Sequence, residues 1–276
     1  MDFQHPAAQL AVQVANITVN LGCSRQDIAE ALALRYRQFL GRPDDPARLH
    51  VRLLVEPSTM QSDLSNAIPA YRDDKISFQG QGYSGWIDLK DGEGFLELHS
   101  AYPVEEIDYF LRIAFAWLIF KSGGMLFHAA GVRHLERAFV FFGPSGAGKT
   151  TVAQLSADYE VMNDDLLMLQ FHNGKWWATS TPFTNPSQVA PAPGTAPLVG
   201  LYRLVQDQEV SLESMPAAEA TAAVLSCVPL IAAVPAFAME LISRCSSLVR
   251  AMPVYRLHFR KEASFWELLR QEMPSN

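Results

Sequence analysis

The sequence predicts an α/β protein in which a small α+β N-terminal domain precedes a larger domain built around a glycine-rich loop. Three observations lead to this prediction. An apolar strand pattern runs directly into the glycine-rich segment GPSGAGKT at 143–150, strand and helix patterns alternate around that segment, and two adjacent aspartates interrupt an apolar stretch shortly after it. The predicted domains are residues 1–100 and residues 101–276.

The composition limits the classes of function. With 276 residues, of which 49% are hydrophobic and 18% charged, the chain can form one large domain or two modest ones. The formal net charge of −7 argues against a general nucleic-acid binder, which needs a basic face to neutralise phosphates. Cys23, Cys227 and Cys245 are widely separated, which predicts buried thiols in a reducing compartment.

Membrane insertion and secretion are also disfavoured by the sequence. The most apolar stretch, residues 104–124, carries several charges in its first half, so too few uncharged residues remain to cross a bilayer. The N-terminus has neither the basic start nor the long apolar core of a signal peptide. We therefore expect a cytoplasmic protein without a membrane partner.

The N-terminal domain shows one helical pattern followed by several strand patterns. Ser24 and Asp27 form a potential capping pair, and apolar residues then recur at helical spacing as far as Gly41. Strands are predicted for residues 48–56, 76–81, 84–89 and 94–100. No group of residues in this half indicates catalysis.

The C-terminal domain alternates between the two kinds of pattern. Helices are predicted for residues 102–120, 149–159, 217–227, 236–250 and 264–273, and strands for 125–134, 137–143, 161–171, 176–183, 198–206 and 254–261. The segment HNGK predicts a hairpin turn, and the proline-rich residues 181–197 predict irregular structure.

The glycine-rich segment fits the pattern G-x-x-x-x-G-K-[ST], which binds nucleotide phosphates. Its glycines permit a backbone path on which successive N–H groups point at phosphate oxygens, and the following helix start adds a partial positive charge. In this pattern Lys149 reaches the β- and γ-phosphates, and the hydroxyl of Thr150 is a ligand of Mg²⁺. The predicted ATP-binding residues are Gly143, Pro144, Ser145, Gly146, Ala147, Gly148, Lys149, Thr150 and Thr151.

The acidic pair, Asp164 and Asp165, supplies the remaining chemistry. Acids within an apolar strand are costly unless they meet a cation or a donor, so one of them is a candidate ligand of Mg²⁺. The other could accept a proton from an attacking hydroxyl. The competing interpretation is that one aspartate only caps a turn. His128 lies on an apolar strand upstream, where a single histidine is more often structural than catalytic.

In combination, FHAAGV, a short hairpin, GPSGAGKT and NDD resemble the catalytic core of the HPr serine kinase family. The chain looks more closely similar to bacterial HPr-kinase-related proteins, which include kinases of lasso-peptide precursors, and the segment PVYRLHFRKEASFWELL also resembles that group. The resemblance covers residues 102–270. It implies a P-loop core related to phosphoenolpyruvate carboxykinase and a tendency to form homo-oligomers.

The resemblance also implies roles for individual residues. His128 would lie near the transferred phosphate, Asp164 would accept the proton of a substrate serine, and Asp165 would help to hold Mg²⁺. The arginine- and glutamate-rich segment that HPr kinases carry after the acidic pair has no counterpart here. Candidates for a further carboxylate are Glu209, Glu213 and Glu219, and candidates for an arginine facing the phosphoryl group are Arg133, Arg203, Arg244 and Arg256.

The predicted function is that of a kinase that depends on Mg²⁺ and ATP. It would transfer the γ-phosphoryl group to a serine-type hydroxyl of a peptide or protein, with His128, Lys149 and Asp164 as catalytic residues. Two alternatives stay open. One is a regulatory or assembly module that binds ATP without transferring the phosphoryl group, and the other is a P-loop kinase that acts on a small molecule.

Overall fold

A computed structural model of the chain describes residues 6–42, 45–184 and 189–271. The chain divides into two compact units, Met1–Leu118 and Ile119–Asn276. Each unit contains one large β-sheet with helices, so the prediction of a mixed α/β protein is confirmed. The division into a small N-terminal domain at residues 1–100 and a P-loop domain at residues 101–276 stays a prediction.

The first unit is built on a sheet of seven described strands in the order β1-β2-β3-β7-β6-β5-β4. Strand β3 is parallel to both of its neighbours, and the other pairs are antiparallel. The strands are β1 (Ala8–Val14), β2 (Ile17–Cys23), β3 (Leu49–Pro57), β4 (Ala70–Arg72), β5 (Lys75–Gly80), β6 (Tyr83–Asp88) and β7 (Glu93–Ser100). The helices are α1 (Gln26–Arg35), the 3₁₀ helix Leu64–Asn66 and α2 (Pro103–Lys121), whose last three residues belong to the second unit.

Helix α1 is shorter than the sequence predicts, and Ser24 does not cap it. The Ser24 hydroxyl instead accepts a hydrogen bond from the backbone N–H of Val55, at 2.9 Å. At the other end, the buried Tyr36 hydroxyl donates to Asp108 Oδ1 at 2.8 Å. Contacts with the rest of the unit therefore replace the local cap and help to define where the helix stops.

The second unit is built on a sheet of eight described strands in the order β10-β8-β11-β12-β13-β15-β14, in which β9 pairs with β13 and β8. The strands are β8 (Gly124–His134), β9 (Arg137–Phe142), β10 (Glu160–Asn163), β11 (Leu166–His172), β12 (Lys175–Ser180), β13 (Thr195–Gln206), β14 (Ser211–Ser214) and β15 (Val254–Phe259). The helices are α3 (Lys149–Gln154), α4 (Ala217–Leu225), α5 (Ala238–Ala251), α6 (Phe265–Gln271) and the 3₁₀ helices Ile231–Ala233 and Pro235–Phe237.

Three parallel strands, β9, β13 and β15, form the part of this sheet from which the glycine-rich loop emerges. One face of these strands packs against α3 and α6. That face buries an apolar cluster that includes Phe139, Phe141, Val152, Tyr202, Leu204, Leu257, Phe259, Phe265 and Trp266. Because side chains alternate along a strand, the residues between these apolar positions point to the opposite face.

The structure corrects several predicted boundaries in this unit. The helix predicted for residues 149–159 ends at Gln154, and the buried Ser156 hydroxyl beyond it accepts a hydrogen bond from Trp266 Nε1 at 2.9 Å. The strand predicted for 161–171 is two strands, β10 and β11. Within the proline-rich span, residues 195–197 already belong to β13. Residues 185–188 of that span lie outside the described residues, and so do residues 272–273 of the predicted terminal helix.

The structure also shows where the cysteines and the apolar stretch of the sequence lie. Cys23, Cys227 and Cys245 are buried and form no disulfide, as predicted. No helix within the described residues has both the length and the apolar character that a membrane span requires.

Candidate nucleotide site

The glycine-rich loop connects the end of β9 to the start of α3, as predicted. Gly146 and Gly148 have φ angles of 79° and 111°, in the region that favours glycine. A Cβ atom on Gly148 would come within 2.6 Å of the Phe259 ring. Gln206 of β13 donates to the Gly146 carbonyl at 2.8 Å and ties the loop to the neighbouring strand. Both backbone conformation and packing therefore require glycine at position 148.

Lys149 is folded back into this loop. Its Nζ atom donates to the carbonyl oxygens of Gly143 at 3.0 Å and Pro144 at 3.2 Å. Burial lowers the pKa of Lys149, whereas Asp165 is among the groups that act in the opposite direction. Backbone carbonyls thus position the ammonium group near an acidic side chain. Helix α3 is short, so its dipole contributes little positive charge at the loop.

The acidic pair lies in a turn between β10 and β11, and Asn163 holds that turn in place. Asn163 Oδ1 accepts hydrogen bonds from the backbone N–H groups of Asp165 at 2.7 Å and Leu166 at 3.0 Å. Its Nδ2 donates to the Thr181 carbonyl at 2.8 Å. Asn163 is fully buried, and a side chain that bonds its own backbone two residues on is typical of asparagine in turns. The local sequence pattern does not indicate this role of Asn163.

Asp164 is the most unusual group in the site. It is 1% exposed, and neither of its carboxylate oxygens has a hydrogen-bond partner within the part of the chain that the structure describes. Burial raises its pKa from the ordinary 3.8 to about 6, against the opposite influence of the Thr150 side chain and the Val189 backbone. Those two groups are thus near the carboxylate, although they do not have the geometry of a hydrogen bond to it.

Asp165 lies close to His128 and to strand β8. Its Oδ1 atom lies 3.4 Å from Nε2 of His128, and its backbone carbonyl accepts a hydrogen bond from the N–H of Ala129 at 3.0 Å. Strand β8 runs past this turn, since His128 pairs with Leu166 at the start of β11. The structure therefore brings His128, Lys149, Thr150, Asp164 and Asp165 together at the loop, whereas Pro144 and Ser145 lie exposed at its tip.

Cys227 also belongs to this neighbourhood, which the sequence did not indicate. Its backbone carbonyl accepts a hydrogen bond from the N–H of His128 at 2.7 Å. Burial raises the pKa of the Cys227 thiol, while Ser226, the Gly143 backbone, Lys149 and Arg203 act in the opposite direction. A single cysteine far along the chain gives no sequence signal for such a position.

The other candidate acids lie beside the loop's neighbouring strands. Glu213 Oε1 lies 2.8 Å from the guanidinium of Arg256, and Glu219 pairs with both Arg256 and Arg203. Glu209 is exposed in the turn between β13 and β14. None of the three is available as an unpaired carboxylate inside the site.

The residues present are compatible with Mg²⁺ bound together with a nucleotide. The described part of the chain contains no group of three or more His, Cys, Asp or Glu side chains arranged to hold a metal by themselves. Mg²⁺ usually keeps several waters and binds through one or two carboxylates plus substrate phosphates. The Thr150 hydroxyl and one carboxylate of the acidic pair are ligands of that kind.

Comparison with known proteins adds little to this geometry. No protein-family model and no curated protein matches the chain. Among solved structures, the chain is similar to the Hpr(Ser) kinase/phosphatase from Coxiella burnetii, with a TM-score of 0.32 and 9% sequence identity. That similarity covers 54% of this chain and 99% of the other chain.

Proposed function

We propose that this protein is a Mg²⁺- and ATP-dependent kinase that transfers the γ-phosphoryl group to a serine-type hydroxyl of a peptide or protein. The proposal starts from the loop. A strand, a glycine-rich turn with left-handed glycines and a lysine at the start of a helix form the arrangement that binds nucleotide phosphates. The Nζ of Lys149 would exchange the carbonyls of Gly143 and Pro144 for phosphate oxygens.

The observation that carries the proposal is the buried, unpartnered carboxylate of Asp164. Such a group costs stability and is kept in proteins mainly where function needs it. A pKa of about 6 leaves the carboxylate mostly ionised at pH 7, yet more basic than an ordinary aspartate. A module that only binds nucleotide has no use for a second, poorly solvated acid beside its loop.

The proposed reaction assigns a role to each residue. The substrate hydroxyl gives its proton to Asp164 while its oxygen forms a bond to the γ-phosphorus, and the bond from that phosphorus to the β–γ bridging oxygen breaks to release ADP. Lys149 offsets the charge on the phosphate oxygens. Thr150 and Asp165 would hold Mg²⁺, which when bound neutralises phosphate charge. His128, 3.4 Å from Asp165, would orient that carboxylate.

The choice of a serine-type hydroxyl follows from the resemblance of FHAAGV, GPSGAGKT and NDD to HPr-kinase-related proteins. These segments supply His128, Lys149, Asp164 and Asp165, which lie together at the loop. A peptide substrate is therefore preferred over a metabolite.

The test compares the wild type with Lys149→Ala and Asp164→Asn. Binding of Mg–ATP is measured by calorimetry, and transfer is measured by ADP release and by mass spectrometry of an arrayed library of serine peptides. Lys149→Ala should lose nucleotide binding. Asp164→Asn should bind Mg–ATP nearly as the wild type does and lose transfer by roughly 10²–10⁴-fold, the usual contribution of a general base. Asp158→Asn, which removes an exposed carboxylate, is the matched control.

Three outcomes would contradict parts of this proposal. A wild type that does not bind Mg–ATP removes its basis. Tight binding without ADP release or peptide phosphorylation favours the regulatory-module alternative. Full transfer by Asp164→Asn shows that Asp164 is not the base.

A further inference from the structure

Two arginines stand side by side next to the glycine-rich loop. In the parallel register of the sheet, Phe142, the last residue before the loop, pairs with Arg203, and Arg203 pairs with Arg256. Their chain neighbours Tyr202, Leu204 and Leu257 belong to the apolar cluster on the α3 side. Both arginines therefore point to the opposite face, where α4 supplies Glu219.

The other two arginine candidates, Arg133 and Arg244, form contacts elsewhere in the unit. Arg133 pairs with Ala138, at the end of β9 away from the loop, and forms an ion pair with Glu160. The Arg244 guanidinium lies 4.2 Å from the centre of the Phe120 ring and donates to the Phe120 carbonyl at 2.9 Å. Neither is placed to reach a phosphate at the loop.

Arg256 and Arg203 differ in how firmly they are held. Arg256 contacts the carboxylates of both Glu213 and Glu219. Among the described residues, Arg203 forms one ion pair, from its NH1 to Glu219 Oε1 at 3.2 Å, with side chains that are 35% and 39% exposed. An exposed pair of this kind contributes only about 0–1 kcal/mol. A nearby phosphate, with more charge and several acceptor oxygens, would compete successfully for the Arg203 guanidinium.

The parallel pairing also sets the position of Arg203 along the sheet. Arg203 lies level with Phe142, the residue before Gly143, and the Gly143 carbonyl accepts a hydrogen bond from Lys149. Arg203 therefore lies at the same end of the sheet as the lysine that would contact the β- and γ-phosphates. In agreement with this placement, Arg203 and Lys149 are both among the groups that lower the pKa of the Cys227 thiol, against the larger opposite influence of burial.

We propose that Arg203 binds the γ-phosphoryl group of ATP, and that the Arg203 guanidinium pairs with Glu219 when no nucleotide is bound. This inference rests on the proposed function, because it assumes that the loop binds a nucleoside triphosphate. It predicts that Arg203 distinguishes a triphosphate from a diphosphate, whereas Lys149 contributes to the binding of both.

The experiment measures the affinities of Mg–AMP-PNP and Mg–ADP by calorimetry, so that no turnover is needed. Arg203→Ala should weaken AMP-PNP binding by ~10-fold or more, because the loss of hydrogen bonds to a charged group typically lowers affinity by that amount. The affinity for ADP should stay within about twofold of the wild-type value. Arg203→Lys keeps the charge without the planar fork and should give an intermediate loss. Glu219→Gln should strengthen AMP-PNP binding and leave ADP binding unchanged, because it removes the competing carboxylate.

Lys149→Ala and Arg256→Gln separate the possible failures. If the wild type binds neither nucleotide, or Lys149→Ala binds both normally, the proposed function fails. If Lys149→Ala loses both nucleotides but Arg203→Ala and Arg203→Lys change neither affinity, or change both equally, the role of Arg203 is wrong and the function stands. A selective loss of AMP-PNP binding in Arg256→Gln that exceeds the loss in Arg203→Ala would also overturn the assignment to Arg203.

Discussion

Asp164→Asn should make the ligand-free protein more stable at neutral pH, although it removes a residue that we assign to catalysis. The folded state raises the pKa of Asp164 from 3.8 to about 6. Between these values the folded protein binds more protons at this position than the unfolded chain, so the free energy of unfolding falls as the pH rises. A shift of about two units corresponds to a penalty of about 3 kcal/mol for the ionised carboxylate.

The magnitude of the effect can be worked out for the amide. Asparagine carries no charge, so it does not pay the pH-dependent penalty, but a buried amide without partners itself costs about 1–3 kcal/mol. At pH 7.5 we therefore expect a net gain of up to about 2 kcal/mol. The corresponding rise in Tm is up to roughly 8 °C. At pH 4, where the carboxyl group in the folded protein is neutral, the gain should disappear or reverse.

Urea unfolding followed by circular dichroism at pH 4, 5, 6 and 7.5, without Mg²⁺ or nucleotide, measures this difference. The free energy of Asp164→Asn relative to the wild type should increase by roughly 2–3 kcal/mol from pH 4 to pH 7.5. Asp158→Asn, at an exposed aspartate of the same unit, should show no comparable increase. A difference that does not depend on pH would refute the argument that Asp164 is buried as a poorly compensated acid.

Three further predictions concern the loop and its metal. Thr150→Ala should raise the Mg²⁺ concentration needed for ATP binding more than it weakens binding of ATP without metal, and identical Mg²⁺ titrations would exclude Thr150 as a ligand. Gly148→Ala should lower the Tm by several degrees and abolish ATP binding, because its Cβ would lie 2.6 Å from the Phe259 ring. At Gly146 an added Cβ meets no atom within 4 Å, so an alanine there introduces only backbone strain. Asp165→Asn should increase the Mg²⁺ requirement of both binding and turnover; a loss of turnover with an unchanged Mg²⁺ requirement would contradict its role as a ligand.

The elements around the loop could be predicted because their signals are local. Strand β9 is apolar from Ala138 to Phe142, the glycines mark the turn, and Lys149 starts the next helix. The first two strands of the chain were not predicted, because the turn between them carries no glycine. Ala15 adopts a φ angle of 53° there, a conformation that alanine seldom takes, so the usual hairpin signal is absent.

The geometry of the acidic pair could be predicted only in part. The sequence placed Asp164 and Asp165 within one strand, where adjacent side chains point to opposite faces. The structure breaks that strand, because the buried Asn163 bonds the backbone of the following turn and the Thr181 carbonyl. Thr181 lies far from Asn163 along the chain, so the partner that fixes the turn could not be identified from the local pattern.

The choice among the arginines shows why register matters more than motif at this site. Arg203 lies 53 residues after Thr150, in a strand with no recognisable signature, and only the parallel pairing of β13 with β9 places it beside Phe142. Helix α4 places Glu219 against Arg203, so the cation that we propose to bind phosphate already has a carboxylate as its partner. On this view, Asp164 and Arg203 solve opposite problems. The Asp164 carboxylate has no hydrogen-bond partner among the described residues and is thereby available to accept a proton, whereas the Arg203 guanidinium has a weak partner that it can exchange for phosphate.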